Sequence, residues 1–512
     1  VADAWNEYKA SVRALPRTVW ESLVRHGAPV TDRSRMEAVF QNLFLHIHST
    51  RVHRWSLRWS YTLGLGLVCA ACFVVLLVTG VLLMFYYKPS TLLAYRSIED
   101  IHFVVPTGRF MRNIHRWGAH IMVVAVIAHM ARVFYTSSYK APREMNWVFG
   151  LVLFVLTLGL SFSGYLLPWD QLAYWATTIG ANIAQSPKEV TDALGITRWF
   201  DPGGFLKTLL LGSRSVGEDA LIRFYVLHVM VLPLLMVIFL GLHFWRIRKD
   251  GGLSRPEDAD ERLGPPGPES LPVFTQAPRK SYGLMAVVRG TSPAVGRGPE
   301  NTLPAWPHLM TAEAAVFMAT LALTVALSWF FDAPLKERAN PLIPENPAKA
   351  PWYFLGLQEI VSFSAFAGGV LLPGITLLGL ALVPYLDRQP GGVGLWFGEG
   401  DRPRRIFLQS AVFGLAAVIG VEAFAIRFGW LRNWFPGVPQ IAITFFNPGT
   451  VLTLLYVLYS VFVIRRENST RMGAIAVFTC FLAGFAVLTL IGTWFRGPNW
   501  GFYWSPSQWP VH

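Results

Sequence analysis

Two hydrophobic stretches each carry a pair of histidines at nearly the same interval: His115 and His129 in one, His228 and His243 in the other. Gaps of 14 and 15 residues correspond to roughly 21–23 Å along an α-helix. They return the side chain to within about 40° and about 60° of its starting direction. Each helix therefore presents two imidazoles on one face, one in each leaflet of an apolar layer about 30 Å thick. Side by side, two such helices form two bis-histidine sites stacked across a membrane, His115 with His228 and His129 with His243. One imidazole nitrogen binds iron while the other N–H is held by a neighbouring acceptor. The stacked pairs suit two haems and electron transfer from one membrane face to the other. A lone intramembrane histidine is more often a packing residue, and His120, off the face shared by His115 and His129, is read that way.

The elements that must hold these histidines are transmembrane helices. Of the 512 residues, 53% are hydrophobic and 15% charged, and mean hydropathy is +0.40, too apolar for a soluble surface. Nine stretches are apolar for long enough to span: 60–87, 114–135, 146–167, 222–246, 310–331, 369–386, 405–427, 446–464 and 472–495. The net charge of +13 could suggest nucleic acid, but Lys and Arg lie mainly in loops, where they set topology, and no nucleic-acid partner is expected. With alternating spans, the basic clusters at Arg51/Arg54/Arg58, Lys140/Arg143, Arg246/Arg248/Lys249, Arg402/Arg404/Arg405 and Arg465/Arg466/Arg471 share one side. That side is assigned as cytoplasmic, together with the N-terminus. Cys69 and Cys72 resemble a CxxC, but no histidine follows and no second pair exists, so they read as small buried hydrophobes.

The expected fold class is an all-α integral membrane protein. Residues 1–55 are expected to form interfacial cytoplasmic helices, retained because no signal-peptide core is visible. Residues 56–250 are expected to form a four-helix dihaem domain, 251–303 a Gly/Pro-rich cytoplasmic linker, 304–430 a smaller helical half, and 431–512 additional spans with a Trp-rich tail.

Two further signals surround the histidines. Gly66 and Gly80 in the first span, and Gly150 and Gly164 in the third, repeat the 14-residue interval. Ordinary small-residue helix packing would explain any one of them. The repeat on the two remaining helices of a four-helix bundle points to clearance for a flat porphyrin. Arg112 and Arg223 precede the outer histidines, and Arg132 and Arg246 follow the inner ones, at depths suited to haem propionates.

The strings RNIHRWGAH (112–120), GYLLPWDQLAYW (164–175), RFYVLHVMVLPLL (223–235), PAWP (304–307) and PWYF (351–354) together resemble the cytochrome b subunit of Rieske/cytochrome bc (bc1/b6f) complexes. They cover roughly residues 45–430. The 15-residue gap and PAWP resemble the b6f type, with b6 and subunit IV joined through the linker. The resemblance implies a quinol:cytochrome c oxidoreductase subunit with two non-covalent b haems, working by a Q-cycle that contributes to proton-motive force. It implies a Rieske iron–sulfur protein, a c-type cytochrome, the quinone pool and lipids as partners, a homodimeric core, and an energy-transducing, bacterial inner membrane. Quinol would be oxidised at an outer site formed by Tyr165, Trp175, Ala176, Thr177 and Trp352, and quinone reduced at an inner site near His243, with Arg248 and Asp250. A dihaem anchor of a dehydrogenase or hydrogenase is the alternative; it needs one quinone site and no PWYF half.

Three departures from the family pattern stand out. The family's PEWY reads Ala350-Pro351-Trp352-Tyr353 here; proline accepts no proton, so Tyr353 or Glu359 is expected to serve, although Glu359 reads equally as a plain interfacial carboxylate. The b6f position whose cysteine tethers an extra haem is Gly64, so no covalent third haem is expected. The last two spans exceed the family's seven, and are expected to be a docking surface or a lineage-specific addition.

Overall fold

The computed structural model describes residues 2–23, 29–42, 45–264 and 301–510. Most of the expected linker 251–303 thus lies outside the described residues. The chain divides into two compact units, Val1–Leu57 with Asp258–Ala314, and Arg58–Glu257 with Ala315–His512.

The smaller unit contains an exposed helix, Ala2–Leu23, and a second, Asp32–Gln41. Thr31 caps the latter by accepting from Ser34 N, and Ser34 reciprocates, satisfying two otherwise orphaned N–H groups. Arg51–His53 (β1) pairs antiparallel with Thr302–Pro304 (β2), and Arg51 Nε donates to Thr302 Oγ1 at 2.9 Å. Residues 1–55 are therefore not purely helical. A three-residue strand has no local periodicity to betray it, and its partner lies about 250 positions away.

The described residues contain nine helices long and apolar enough to cross a membrane: α1 Leu65–Met84, α2 Gly108–Tyr135, α3 Glu144–Leu166, α4 Glu218–Lys249, α5 Ala305–Phe330, α6 Ala367–Leu386, α7 Arg402–Trp434, α8 Gln440–Glu467 and α9 Thr470–Phe495. The first four form a bundle. Gly66 faces His129 and Gly80 faces His115, so α1 and α2 run antiparallel; Gly150 faces His243 and Gly164 faces His228, so α3 and α4 do likewise. Cys72, Phe73, Met122, Leu156 and Met236 form a buried cluster, midway along all four helices. This plug of apolar side chains separates the two histidine levels. Cys72 is buried in it, as its reading as a small hydrophobe expected.

Two of these helices contain a π-turn just before a proline: Leu227–Val231 before Pro233 and Ala367–Leu371 before Pro373. Proline has no N–H and its ring crowds the preceding turn; the wider i→i+5 turn accommodates both effects. In α4 the π-turn starts beside His228. It winds one more residue into the same stretch, so the 15-residue interval there faces its histidines as the 14-residue interval does in α2. Uniform α-helical geometry overstated the angular offset.

Residues 431–512 are not peripheral. Phe478 of α9 stacks on Phe134 of α2 with ring centroids 3.9 Å apart. Arg471 donates to Tyr139 Oη at 2.7 Å and to the Phe134 carbonyl at 3.0 Å. One face of α9 packs into the core of the larger unit.

Candidate functional site

Each of the four interval-matched histidines, His115, His129, His228 and His243, meets a glycine. A Cβ added at Gly66, Gly80, Gly150 or Gly164 would stand 3.2, 3.2, 3.7 or 2.6 Å from the Cε1 of His129, His115, His243 or His228, respectively. The spacing match between helices is thus a contact match, one imidazole per glycine.

The outer pair is close. His115 and His228 have ring centroids 6.2 Å apart. That separation leaves room for one metal ion that both imidazoles would hold, with metal–nitrogen bonds of about 2 Å. Thr79 Oγ1 lies 2.9 Å from His115 Nδ1 and donates its own proton to Val75 O at 2.7 Å. Ser163 Oγ lies 3.1 Å from His228 Nδ1 and donates to Gly159 O at 2.8 Å. Both hydroxyls have spent their proton on the helix backbone, so each accepts from Nδ1–H. That selects the tautomer whose Nε2 lone pair is available to a metal. Thr79 and Ser163 immediately precede Gly80 and Gly164, a register the sequence reading missed although the Thr-Gly and Ser-Gly pairs were visible.

The inner pair lines a partly open cavity, with Met130, Arg132, Arg143, Asn146 and Gly150 also in its wall. Buried atoms of its wall lack side-chain hydrogen-bond partners: Nδ1 of His129 and of His243, Nη2 of Arg132 and Oδ1 of Asn146. Orphaned polar atoms converging on a cavity are the mark of a site completed by a ligand. Two donors per level, with no group of three or more His, Cys, Asp or Glu suited to a metal among the described residues, suit a metal that brings its own equatorial ligands. The residues present fit haem.

The four arginines divide. Arg132 stacks over Tyr61, 4.2 Å from the ring centroid, and donates through Nε to Tyr61 O at 3.1 Å, leaving Nη2 toward the inner cavity. Arg246 pairs with Asp250 at 3.1 Å and donates to Pro142 O at 3.2 Å. Arg112 is buried and donates to the Ala333 and Pro334 carbonyls, both at 2.7 Å. Arg223 is exposed and donates to Leu209 O, so it fastens the Pro202–Leu211 helix instead of reaching toward His228. Arg248 is half-buried on the last turn of α4, and Asp250, paired with Arg246, follows that helix.

The outer site is walled by two loops. The Gln171–Gln185 helix is capped by Asp170, which accepts from Ala173 N at 2.9 Å and from Lys336 N at 3.0 Å. Burial raises the Asp170 pKa while those two N–H groups oppose the shift. Opposite lies the helix Trp352–Val361. Trp352 Nε1 donates to His120 Nδ1 at 3.0 Å, and Tyr353 packs edge-on to the His120 ring at 6.2 Å. Phe162 lies between Tyr165 at 5.6 Å and Phe354 at 6.2 Å. Trp352, Tyr353 and Tyr165 therefore border one aromatic region, and His120, set aside as packing, joins it. Its signal was its direction, away from the haem face. The Thr177 hydroxyl is spent on Ala173 O, Ala176 is half-buried with no polar side chain to offer, and Trp175 keeps a buried, unpartnered Nε1.

Neither proposed proton acceptor is an open base. Burial pushes the Tyr353 phenol up to about 12, with Arg116 opposing, so it stays protonated at neutral pH and serves as a donor. Glu359 is fully buried and held by Arg496 and by Trp500 Nε1, the latter at 3.1 Å.

Fold and site together define an integral membrane protein built on a histidine-bearing four-helix bundle. The family model Cytochrome b/b6/petB matches residues 52–251. Cytochrome b6 of Heliobacterium mobile is 46% identical over 191 residues, 37% of this chain and 83% of that one. The cytochrome bc complex cytochrome b subunit of Chlorobaculum thiosulfatiphilum is 32% identical over 341 residues, 65% of this chain and 67% of that one. A solved structure described as a hyperthermophilic respiratory Complex III shares the fold, with TM-score 0.52 and 23% identity, covering 84% of this chain and 91% of that one. The chain belongs to the cytochrome b/b6 family.

Proposed function

We propose that this chain is the dihaem cytochrome b of a quinol:cytochrome c oxidoreductase that works by a Q-cycle. The observation that carries the reading is the set of four imidazole–glycine contacts at two membrane depths, with hydroxyl acceptors selecting the metal-binding tautomer at the outer level. His115 and His228 would hold the outer haem, His129 and His243 the inner one, and Gly66, Gly80, Gly150 and Gly164 leave room for the macrocycles. Bound haem supplies a one-electron relay between the two faces. Arg132 lines the inner cavity and would offer its guanidinium to a propionate there, whereas Arg246, paired with Asp250, would contribute positive charge from the end of α4.

At the outer face, Trp352, Tyr353 and Tyr165 orient the quinol ring, and Tyr353 offers it a hydrogen bond from a phenol that remains protonated. Trp352 fills the lone pair of His120 Nδ1, so His120 carries its proton on Nε2 and is a second donor. The inner quinone site lies near Arg248. A Rieske protein and a c-type cytochrome would accept electrons on the outer side, and the membrane would be a bacterial inner membrane with the N-terminus cytoplasmic.

The test is a reduced-minus-oxidised spectrum with haem quantification, followed by quinol:cytochrome c activity of the purified assembly. Two haems per chain and activity blocked by an outer-site inhibitor are expected. A colourless protein overturns the reading; two haems without quinol oxidation favour the dehydrogenase-anchor type of function.

A further inference from the structure

We propose that the C-terminal hairpin α8–α9 sets the position of the quinol-site helix Trp352–Val361 through Arg496, an inference that rests on the quinol-oxidising reading above. Arg496 follows the π-turn that ends α9. Its Nε donates to Glu359 Oε1 at 2.8 Å and its Nη2 reaches the same oxygen. Trp500 Nε1 takes Glu359 Oε2 at 3.1 Å, and Arg496 Nη1 donates to the Trp500 carbonyl at 3.0 Å. The only carboxylate of the site helix is therefore engaged on both oxygens by residues beyond 490. Glu422 of α7 also faces this centre, with Oε2 3.9 Å from Arg496 Nη2.

The same segment grips the strand of loop that leads into the helix. Lys349 Nζ donates to Thr493 O at 2.8 Å. Asn346 Nδ2 donates to Asn499 Oδ1 at 2.9 Å, and Asn499 N donates to Asn346 Oδ1 at 2.6 Å. The helix faces lie too close for added side chains. A Cβ at Gly356 would meet Thr489 Oγ1 at 2.9 Å, and one at Gly492 would meet Leu355 Cβ at 3.0 Å. At its other end α9 is fastened by Arg471 to Tyr139 and the Phe134 carbonyl. Helix α9 is a strut bolted by a buried arginine at each end, one against the histidine bundle and one against the quinol-site helix.

A buried ion pair adds little net stability relative to an apolar pair, because desolvation offsets attraction; its use is to specify one geometry. Two guanidinium N–H groups converging on Glu359 Oε1 fix a direction that a lysine point charge does not. Arg496 is accordingly a positioning residue: it fixes Glu359, and with it the rotation and depth of Trp352 and Tyr353 six to seven residues earlier.

The experiment uses the whole purified complex with Arg496→Gln, Arg496→Lys and Lys349→Met. Misplacing a substrate-orienting helix by about 1 Å costs as much as about a hundredfold. We expect Arg496→Gln to lower kcat/KM for quinol by at least about tenfold, mostly through KM, with both haems and their spectra retained. Arg496→Lys should recover part of the loss, and Lys349→Met, which removes only a half-buried tie, should raise KM by about two- to fivefold. Unchanged KM in Arg496→Gln or, should that variant fail to assemble, unchanged KM in both Arg496→Lys and Lys349→Met overturns the proposal. A wild-type complex with two haems and no quinol oxidation overturns the parent reading, and this inference with it.

Discussion

The outer and inner histidine pairs occupy equivalent places in one bundle yet are built differently. Outside, both Nδ1 atoms have hydroxyl partners, Thr79 and Ser163, and the two rings approach to 6.2 Å. Inside, neither Nδ1 has a side-chain partner, His129 lacking any and His243 having only the Asn146 backbone, in a cavity that also exposes Arg132 Nη2 and Asn146 Oδ1. The outer level is organised by the protein alone, through second partners on neighbouring helices. The inner level holds unsatisfied polar groups, and its geometry is completed by what binds.

The largest effect that tests the comparison comes from the ligands. His228→Leu and His129→Leu are each expected to remove one haem and leave the other, as measured by pyridine-haemochrome quantification; a full complement in either variant would refute the pairing. Next come the glycines. Gly164→Ala places a methyl 2.6 Å from His228 Cε1, whereas Gly150→Ala meets His243 at an ordinary 3.7 Å. Overpacking costs about 1–3 kcal/mol, so the outer variant should lose more of its haem than the inner one does. Equal haem contents would show that glycine clearance does not distinguish the levels.

The hydroxyls come third. Removing a partner that orients a ligating imidazole weakens metal affinity by about 10–100-fold. Thr79→Val, almost isosteric, should therefore shift the outer potential in a redox titration and make the outer haem easier to extract, with the inner haem as internal control. The smallest effect concerns the loop wall. Asp170→Ala removes a helix cap and the Lys336 N–H contact, and should cost about 1 kcal/mol. It should be read as a lowered melting temperature with haem content unchanged; no change would mean that the two loops are held together by other contacts.

Much of the fold was legible because spanning a membrane requires long apolar helices, and hydropathy alone reports those. The bundle histidines and glycines were legible because a helix repeats its faces at fixed intervals. Arg223, by contrast, was placed near the haems on sequence distance alone; in space its guanidinium is exposed and bound to Leu209 O. Glu359 was read as an exchangeable carboxylate because its partners, Arg496 and Trp500, lie 137 and 141 positions away. His120 was dismissed by its direction on α2, which points it instead at Trp352.

The sequence by itself determined the membrane class, the nine spans, and the matched intervals that align two imidazoles with two glycines, because these depend on periodicity within single helices. Only the tertiary structure decided which hydroxyls orient the outer imidazoles, and that Arg496 at the end of α9 ties Glu359 of the helix Trp352–Val361. Those features are contacts between residues far apart in the chain, and no local pattern encodes a distance that packing alone closes.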